Sequence, residues 1–120
     1  MAKMVKKNFE VPEETRPIDK GKVEVVALGE MKVMRTILEP GWRWSQCVKP
    51  LVGTESCQVG HLVHVLSGRL AVRMDDGSQA EFGPGDVGVI PPGHDAWVVG
   101  NQPCVSLDFQ GGATYAKPSA

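Results

Sequence analysis

The sequence predicts an all-β fold, one small sandwich or barrel, and three observations lead there. Short apolar runs alternate with turn signals from Gly21 to Phe109. Within several runs apolar and polar residues alternate with a period of two, the spacing that buries one face of a strand. No stretch carries the i, i+3, i+4 apolar stripe of an amphipathic helix. The 14 glycines and 9 prolines fall between the runs as punctuation and form no low-complexity block. Many short strands at even spacing must close on themselves or have their edges covered.

Each run has its own reason. Val23, Val25 and Ala27 alternate with charged or smaller residues, and Met31 to Leu38 forms a second run ending at Glu39, Pro40 and Gly41. Residues 41–56 carry Trp42, Trp44 and Cys47 at irregular spacing and read as a long loop, which in a compact domain is usually functional or mobile. His61 to Leu66 reads as a strand ending at Ser67 and Gly68. Leu70, Val72 and Met74 alternate with Arg69, Ala71 and Arg73, and the turn Asp75, Asp76, Gly77 leads into Ala80 and Phe82 as a hairpin. Gly83 to Asp86 and Pro91 to Gly93 turn the chain into Val87 to Ile90 and Ala96 to Val99, and Val105, Leu107 and Phe109 share one face of a last strand. Three parts are expected: residues 1–20 as an N-terminal arm or edge segment, 21–110 as the barrel, and 111–120 as a flexible C-terminal tail.

Composition narrows the function. The 120 residues suit one domain with its own core. A net charge of −1 argues against a nucleic-acid or anionic-membrane partner, since both need a concentrated basic surface. No apolar run approaches the ~18 residues of a membrane span. The basic residues near the start are not followed by the apolar segment of a secretory signal. Three cysteines without a C-x-x-C pair are expected as reduced thiols, and the cytoplasm is the expected location. Neither a G-x-S-x-G elbow nor a phosphate-binding G-x-x-x-x-G-K-[ST] loop is present.

Two passages give the chain a resemblance. The run HLVHVLSGRL, His61 to Leu70, is similar to the strand that closes the first motif of the cupin superfamily, with Gly68 as its turn glycine. The run FGPGDVGVIPPGH, Phe82 to His94, is similar to the second motif, G-D-x4-P-x-G, through Gly85, Asp86, Pro91 and Gly93. The likeness spans Glu39 to Val99, about half the chain. It implies a cupin, jelly-roll β-barrel (double-stranded β-helix) and one divalent metal inside it. The family's ligands are two histidines and a glutamate in the first motif and a histidine after the second. Counted back from Gly68, the glutamate position holds His61, and the two histidine positions hold Glu55 and Cys57. Counted forward from Gly93, the last histidine position holds Ala96, with His94 two residues earlier. Counted from Gly41, the family's first histidine position falls on Cys47, so the first two positions have two registers.

Glutamate, cysteine and histidine are all competent ligands for zinc, iron, nickel or manganese in differing degrees. On a strand His61 shares a face with Val63 and Val65, and His64 points the opposite way, so the two histidines are not co-ligands. The candidate metal ligands are Glu55, Cys57, His61 and His94; each also has a plain reading, as a solvated loop acid, a small buried thiol, a hydrogen-bonded core histidine and a turn cap. Trp42, Arg43 and Trp44 form a candidate ligand pocket, two indole walls with a guanidinium donor, or else fasten the loop to the barrel. No catalytic residue is assigned. The reading that leads is a small-ligand-binding barrel protein, with or without one divalent metal (zinc, iron, nickel or manganese). A metal-dependent dioxygenase, isomerase or lyase and an oligomerisation domain stand as alternatives. A homodimer through an edge or a flat face is expected, with no nucleic-acid or membrane partner.

Overall fold

The computed structural model describes residues 3–117. The alternating runs become antiparallel strands: β1 Glu14–Ile18, β2 Gly21–Leu28, β3 Met31–Leu38, β4 His61–Ser67, β5 Leu70–Met74, β6 Gln79–Phe82, β7 Val87–Ile90, β8 His94–Val98 and β9 Cys104–Asp108. They form a six-stranded sheet in the order β1-β2-β3-β9-β4-β7 and a three-stranded sheet in the order β6-β5-β8. This is an all-β, double-sheet jelly roll with the core between the two sheets.

The period of two decides what enters that core. Strand β4 buries His61, Val63 and Val65 and turns Leu62, His64 and Leu66 outward. Strand β8 buries His94, Ala96 and Val98, and β9 buries Cys104, Ser106 and Asp108. Met34, Thr36 and Leu38 face them from β3. Each fully buried aliphatic side chain in this set contributes about 1.5–3 kcal/mol. The register sets His61 opposite Ile90 and Val63 opposite Asp108. His61, His94 and Asp108 therefore reach the interior from three strands. On the outer face Leu62, Leu66, Val87 and Val89 are exposed.

Residues 41–56 are not one open loop. They hold two single-turn helices, α1 Trp44–Cys47 and α2 Lys49–Val52. A helix of one turn is too short to display a repeating apolar stripe, which is why the sequence pattern missed it. Trp44 and Cys47, three apart, both face the core. Asp95, on the outer face of β8, fastens the segment by accepting hydrogen bonds from the Ser45 backbone N–H (3.0 Å) and Ser45 Oγ (2.9 Å).

Over its described part, residues 111–117, the C-terminal tail packs against the body of the domain. A 3₁₀ turn at Gly111–Ala113 leads to Tyr115 and Ala116, both buried. The cause lies at the other end of the chain. Arg16 of β1, itself buried, donates to the carbonyls of Gly112 (2.7 Å) and Tyr115 (2.6 Å) and to Glu14. Part of the expected N-terminal arm, β1, is thus an edge strand that holds the C-terminal segment in place. Among the described residues no helix is long and apolar enough to cross a membrane.

Gly68 shows why its motif position takes glycine. Its φ is 76°, in the left-handed region, and a Cβ there would lie 2.2 Å from the carbonyl oxygen of Pro103. Gly68→Ala is expected to destabilise the domain by about 2 kcal/mol or more, read as a fall in the urea midpoint. An unchanged midpoint would contradict this account of the β4–β5 turn.

Candidate metal centre

Three of the interior side chains converge. Cys57, His61 and His94 each offer one ligand atom, all within 4.8 Å of one another, and all three residues are buried. Cys57 precedes β4, and its backbone is bridged to β8: its N–H donates to the His94 carbonyl at 2.7 Å, and its own carbonyl accepts from Gly93 at 2.6 Å. That bridge brings the thiol to His94. His61, four residues on at the head of β4, presents Nε2 to Cys57 Sγ at 3.7 Å. A tetrahedral zinc with Zn–S near 2.3 Å and Zn–N near 2.0 Å holds S and N about 3.5 Å apart, so this spacing suits an ion between them.

Both imidazoles have their tautomer set by a hydrogen bond on the far nitrogen. His61 Nδ1 is hydrogen-bonded to Asp108 Oδ2. Burial pushes the Asp108 carboxyl up, but the His61 hydrogen bond and charge, with the N–H groups of Gly111 and Gln110, outweigh it and leave it below the ordinary carboxylate range. An ionised carboxylate only accepts, so Nδ1 carries the proton and Nε2 is left as a lone-pair donor. His94 Nδ1 donates to the Pro91 carbonyl at 2.8 Å, which frees its Nε2 in the same way. Burial, with a smaller push from His61, lowers the His94 pKa below the usual histidine range, holding it in the neutral, ligating form. The Cys57 thiol is pushed up to about 11, chiefly by burial.

Cys57, His61 and Asp108 also form a thiol–imidazole–carboxylate row, the order of a nucleophilic relay. A nucleophile needs its thiol pKa lowered, and here burial raises it. A second imidazole also stands against the first, its ring centroid 5.3 Å from that of His61, so the cluster offers three groups that could hold a metal.

The remaining candidates separate cleanly. Glu55 does not join the cluster: its side chain is 98% exposed and pairs with Lys49. Positions 55 and 57 share no face because the chain between them is irregular, with Ser56 buried and bonded to Asp75. Cys47 is buried but stands outside the three-residue group. His64 points away from the interior, as strand geometry requires. Trp42 and Trp44 are buried interior walls, and Arg43 between them points outward, bonded to Asp95 and stacked over Trp97 at 4.4 Å. Trp42 and Trp44 line the interior cavity, and the Arg43 guanidinium does not. Asp108 and Tyr115 were missed by the sequence reading. Asp108 is the last residue of β9 and alternates with Val105, Leu107 and Phe109, so its inward face follows only from that period of two. The Tyr115 ring meets His61 edge-on at 5.1 Å.

Gly111 closes the back of the site. A Cβ there would lie 2.7 Å from Asp108 Oδ2 and 2.8 Å from His61 Nδ1, so only glycine lets the backbone N–H approach Asp108 Oδ1 at 3.0 Å.

A double-sheet β jelly roll of this kind is the architecture of cupin-type proteins. The chain belongs to the EutQ-like cupin domain family, whose sequence model matches residues 42–104. Solved structures agree in fold. The polyketide cyclase RemF from Streptomyces resistomycificus superposes with a TM-score of 0.61 at 17% identity, over 88% of this chain and 78% of that one. A protein of unknown function from Rhizobium leguminosarum bv. viciae 3841 superposes with 0.59 at 22%, over 91% and 99%. Oxalate decarboxylase from Lactobacillus farciminis, in a formate complex, gives 0.60 at 19%, over 82% of this chain but 31% of that one. The chain thus spans about a third of the oxalate decarboxylase's length. No curated protein matches the chain.

For a metal held by this cluster, Asp108→Asn is expected to weaken binding by about 10- to 100-fold, because an amide donor opposite Nδ1 would drive the proton onto Nε2. Competition against a chromophoric chelator measures it. Wild-type affinity in that variant would sever the link between Asp108 and the centre.

Proposed function

We propose that this protein binds one divalent transition metal through Cys57, His61 and His94 and uses the open fourth position to hold a small organic ligand inside the barrel. The convergence of three buried ligand atoms within 4.8 Å carries the reading. Three protein ligands with one position left open is the arrangement of zinc sites that bind exchangeable ligands, where the ion supplies Lewis acidity. One thiolate and two imidazoles suit zinc, iron or nickel. Manganese favours oxygen donors, and the three converging ligand atoms are one sulfur and two nitrogens, with Glu55 at the surface.

Charge supports the same conclusion. Asp108 is 1% exposed, and a buried ion without a counter-charge is costly. A divalent cation balances the Asp108 carboxylate and a Cys57 thiolate, leaving the assembled centre neutral. Binding precedes turnover in this reading because the one interior carboxylate near the centre, Asp108, is already held by His61 and three backbone N–H groups. A metal-dependent enzyme remains the second reading, favoured by the open coordination position.

Equilibrium dialysis against Zn(II) and Co(II) is expected to give one ion per chain, with His61→Ala and Cys57→Ser each weakening uptake by more than about 100-fold, beyond the loss of a supporting group alone. Uptake that is absent in the wild type, or equal in the variants, would overturn the reading. Affinity should also rise with pH. The ligand is a thiolate, and its thiol in the metal-free protein is pushed up to about 11, so binding near neutrality releases that proton. The binding constant should therefore climb about tenfold per pH unit, with His94 adding no second proton there because burial already keeps it neutral. A flat profile across neutrality would remove Cys57 from the ligand set.

A further inference from the structure

The cavity beside the cluster has a polar asymmetry that the metal ligands do not explain. Its wall includes Trp42, Thr36, Ser106 and Asp108, with apolar surface from Met34 and Ile90 among others. Trp42 is 2% exposed, and its Nε1 is the one buried side-chain nitrogen or oxygen among the described residues without a hydrogen-bond partner. An indole N–H can only donate. Leaving it unpaired costs about 1–3 kcal/mol, and a buried orphan of this kind calls for a bound group that accepts.

A second donor stands on the same wall. Thr36 Oγ1 and Ser106 Oγ lie 2.6 Å apart and share one hydrogen bond, which uses one of their two protons and leaves the other to donate. The acceptor on this wall, Asp108, is by contrast fully engaged by His61, Leu62, Gln110 and Gly111. The protons this wall leaves free to donate therefore include the Trp42 N–H and one hydroxyl of the Thr36–Ser106 pair. The cavity measures about 40 Å³, room for roughly three water molecules, which limits an occupant to a few heavy atoms.

We propose that the barrel selects a small carboxylate, one oxygen on the metal and the other accepting from Trp42 Nε1–H, with the Thr36–Ser106 hydroxyl pair as a further donor. Met34 and Ile90 give a short alkyl substituent an apolar wall. A neutral centre accepts the extra negative charge because the donors around it face the anion. This deepens the proposed function and rests on the metal centre for one of its two anchors.

The test is a titration of Co(II)-loaded and metal-free protein with acetate and glycolate, and with acetamide and ethylene glycol as uncharged counterparts. Metal uptake is measured separately by dialysis. The loaded wild type is expected to bind the carboxylates at least tenfold more tightly than the uncharged pair, and Trp42→Phe to lose about tenfold or more in carboxylate affinity while keeping its metal affinity. In parallel, ¹⁵N-labelled indole N–H signals of the Zn(II)-loaded wild type are followed as acetate is added, with Trp44→Phe and Trp97→Phe used for assignment. The Trp42 signal should move downfield and the other two should not, a readout that holds even if Trp42→Phe fails to fold. Equal carboxylate affinity in Trp42→Phe, a silent Trp42 signal, or preference for the uncharged compounds overturns the carboxylate site. Protein that takes up no metal yet binds acetate through Trp42 overturns the metal reading and leaves the donor site standing.

Discussion

One hydrogen bond organises the interior: His61 Nδ1–H to the carboxylate of Asp108. It joins β4 to β9 across the sheet, fixes which histidine nitrogen faces Cys57 and His94, and places a negative charge where solvent does not reach. A buried carboxylate is tolerable only if its oxygens are occupied. Here the chain commits three backbone N–H groups, from Leu62, Gln110 and Gly111, to that task. The C-terminal segment is consequently part of the site, since Gly111 supplies one N–H and Tyr115 covers the imidazole.

That constraint links two ends of the chain that look dispensable in sequence. Arg16 on β1 holds the carbonyls of Gly112 and Tyr115, so an edge strand near the start secures the cover over the centre. The guanidinium is buried and makes these bonds in a low-dielectric setting, where a charge-assisted hydrogen bond is stronger than at the surface.

Much of the fold was legible because strands write themselves as alternation. The inward set of β4, His61, Val63 and Val65, and the outward His64 follow from a period of two alone. The turn glycine Gly68 was legible for a related reason, since its backbone angle and close approach admit no side chain. The single-turn helices were not, because four residues contain no repeat. The packed tail was not, because what holds it is Arg16, 96 and 99 residues away in sequence from the carbonyls it bonds. Of the ligand candidates, Cys57, His61 and His94 come together and Glu55 does not. Register counting from Gly68 worked only as far as regular strand extended; before His61 the chain bends, and a two-residue spacing no longer means a shared face. Asp108 was invisible for the opposite reason: a lone aspartate at a strand end resembles any surface acid until its partner is known.

The account stands or falls on whether sulfur and two imidazoles bind one ion together. The optical spectrum of the Co(II)-substituted protein reads this directly. An intense sulfur-to-cobalt charge-transfer band in the near ultraviolet, with the strong visible bands of a four-coordinate ion and loss of the former in Cys57→Ser, is the predicted result. The weak spectrum of a six-coordinate, oxygen-bound cobalt ion, unchanged by that substitution, would contradict it.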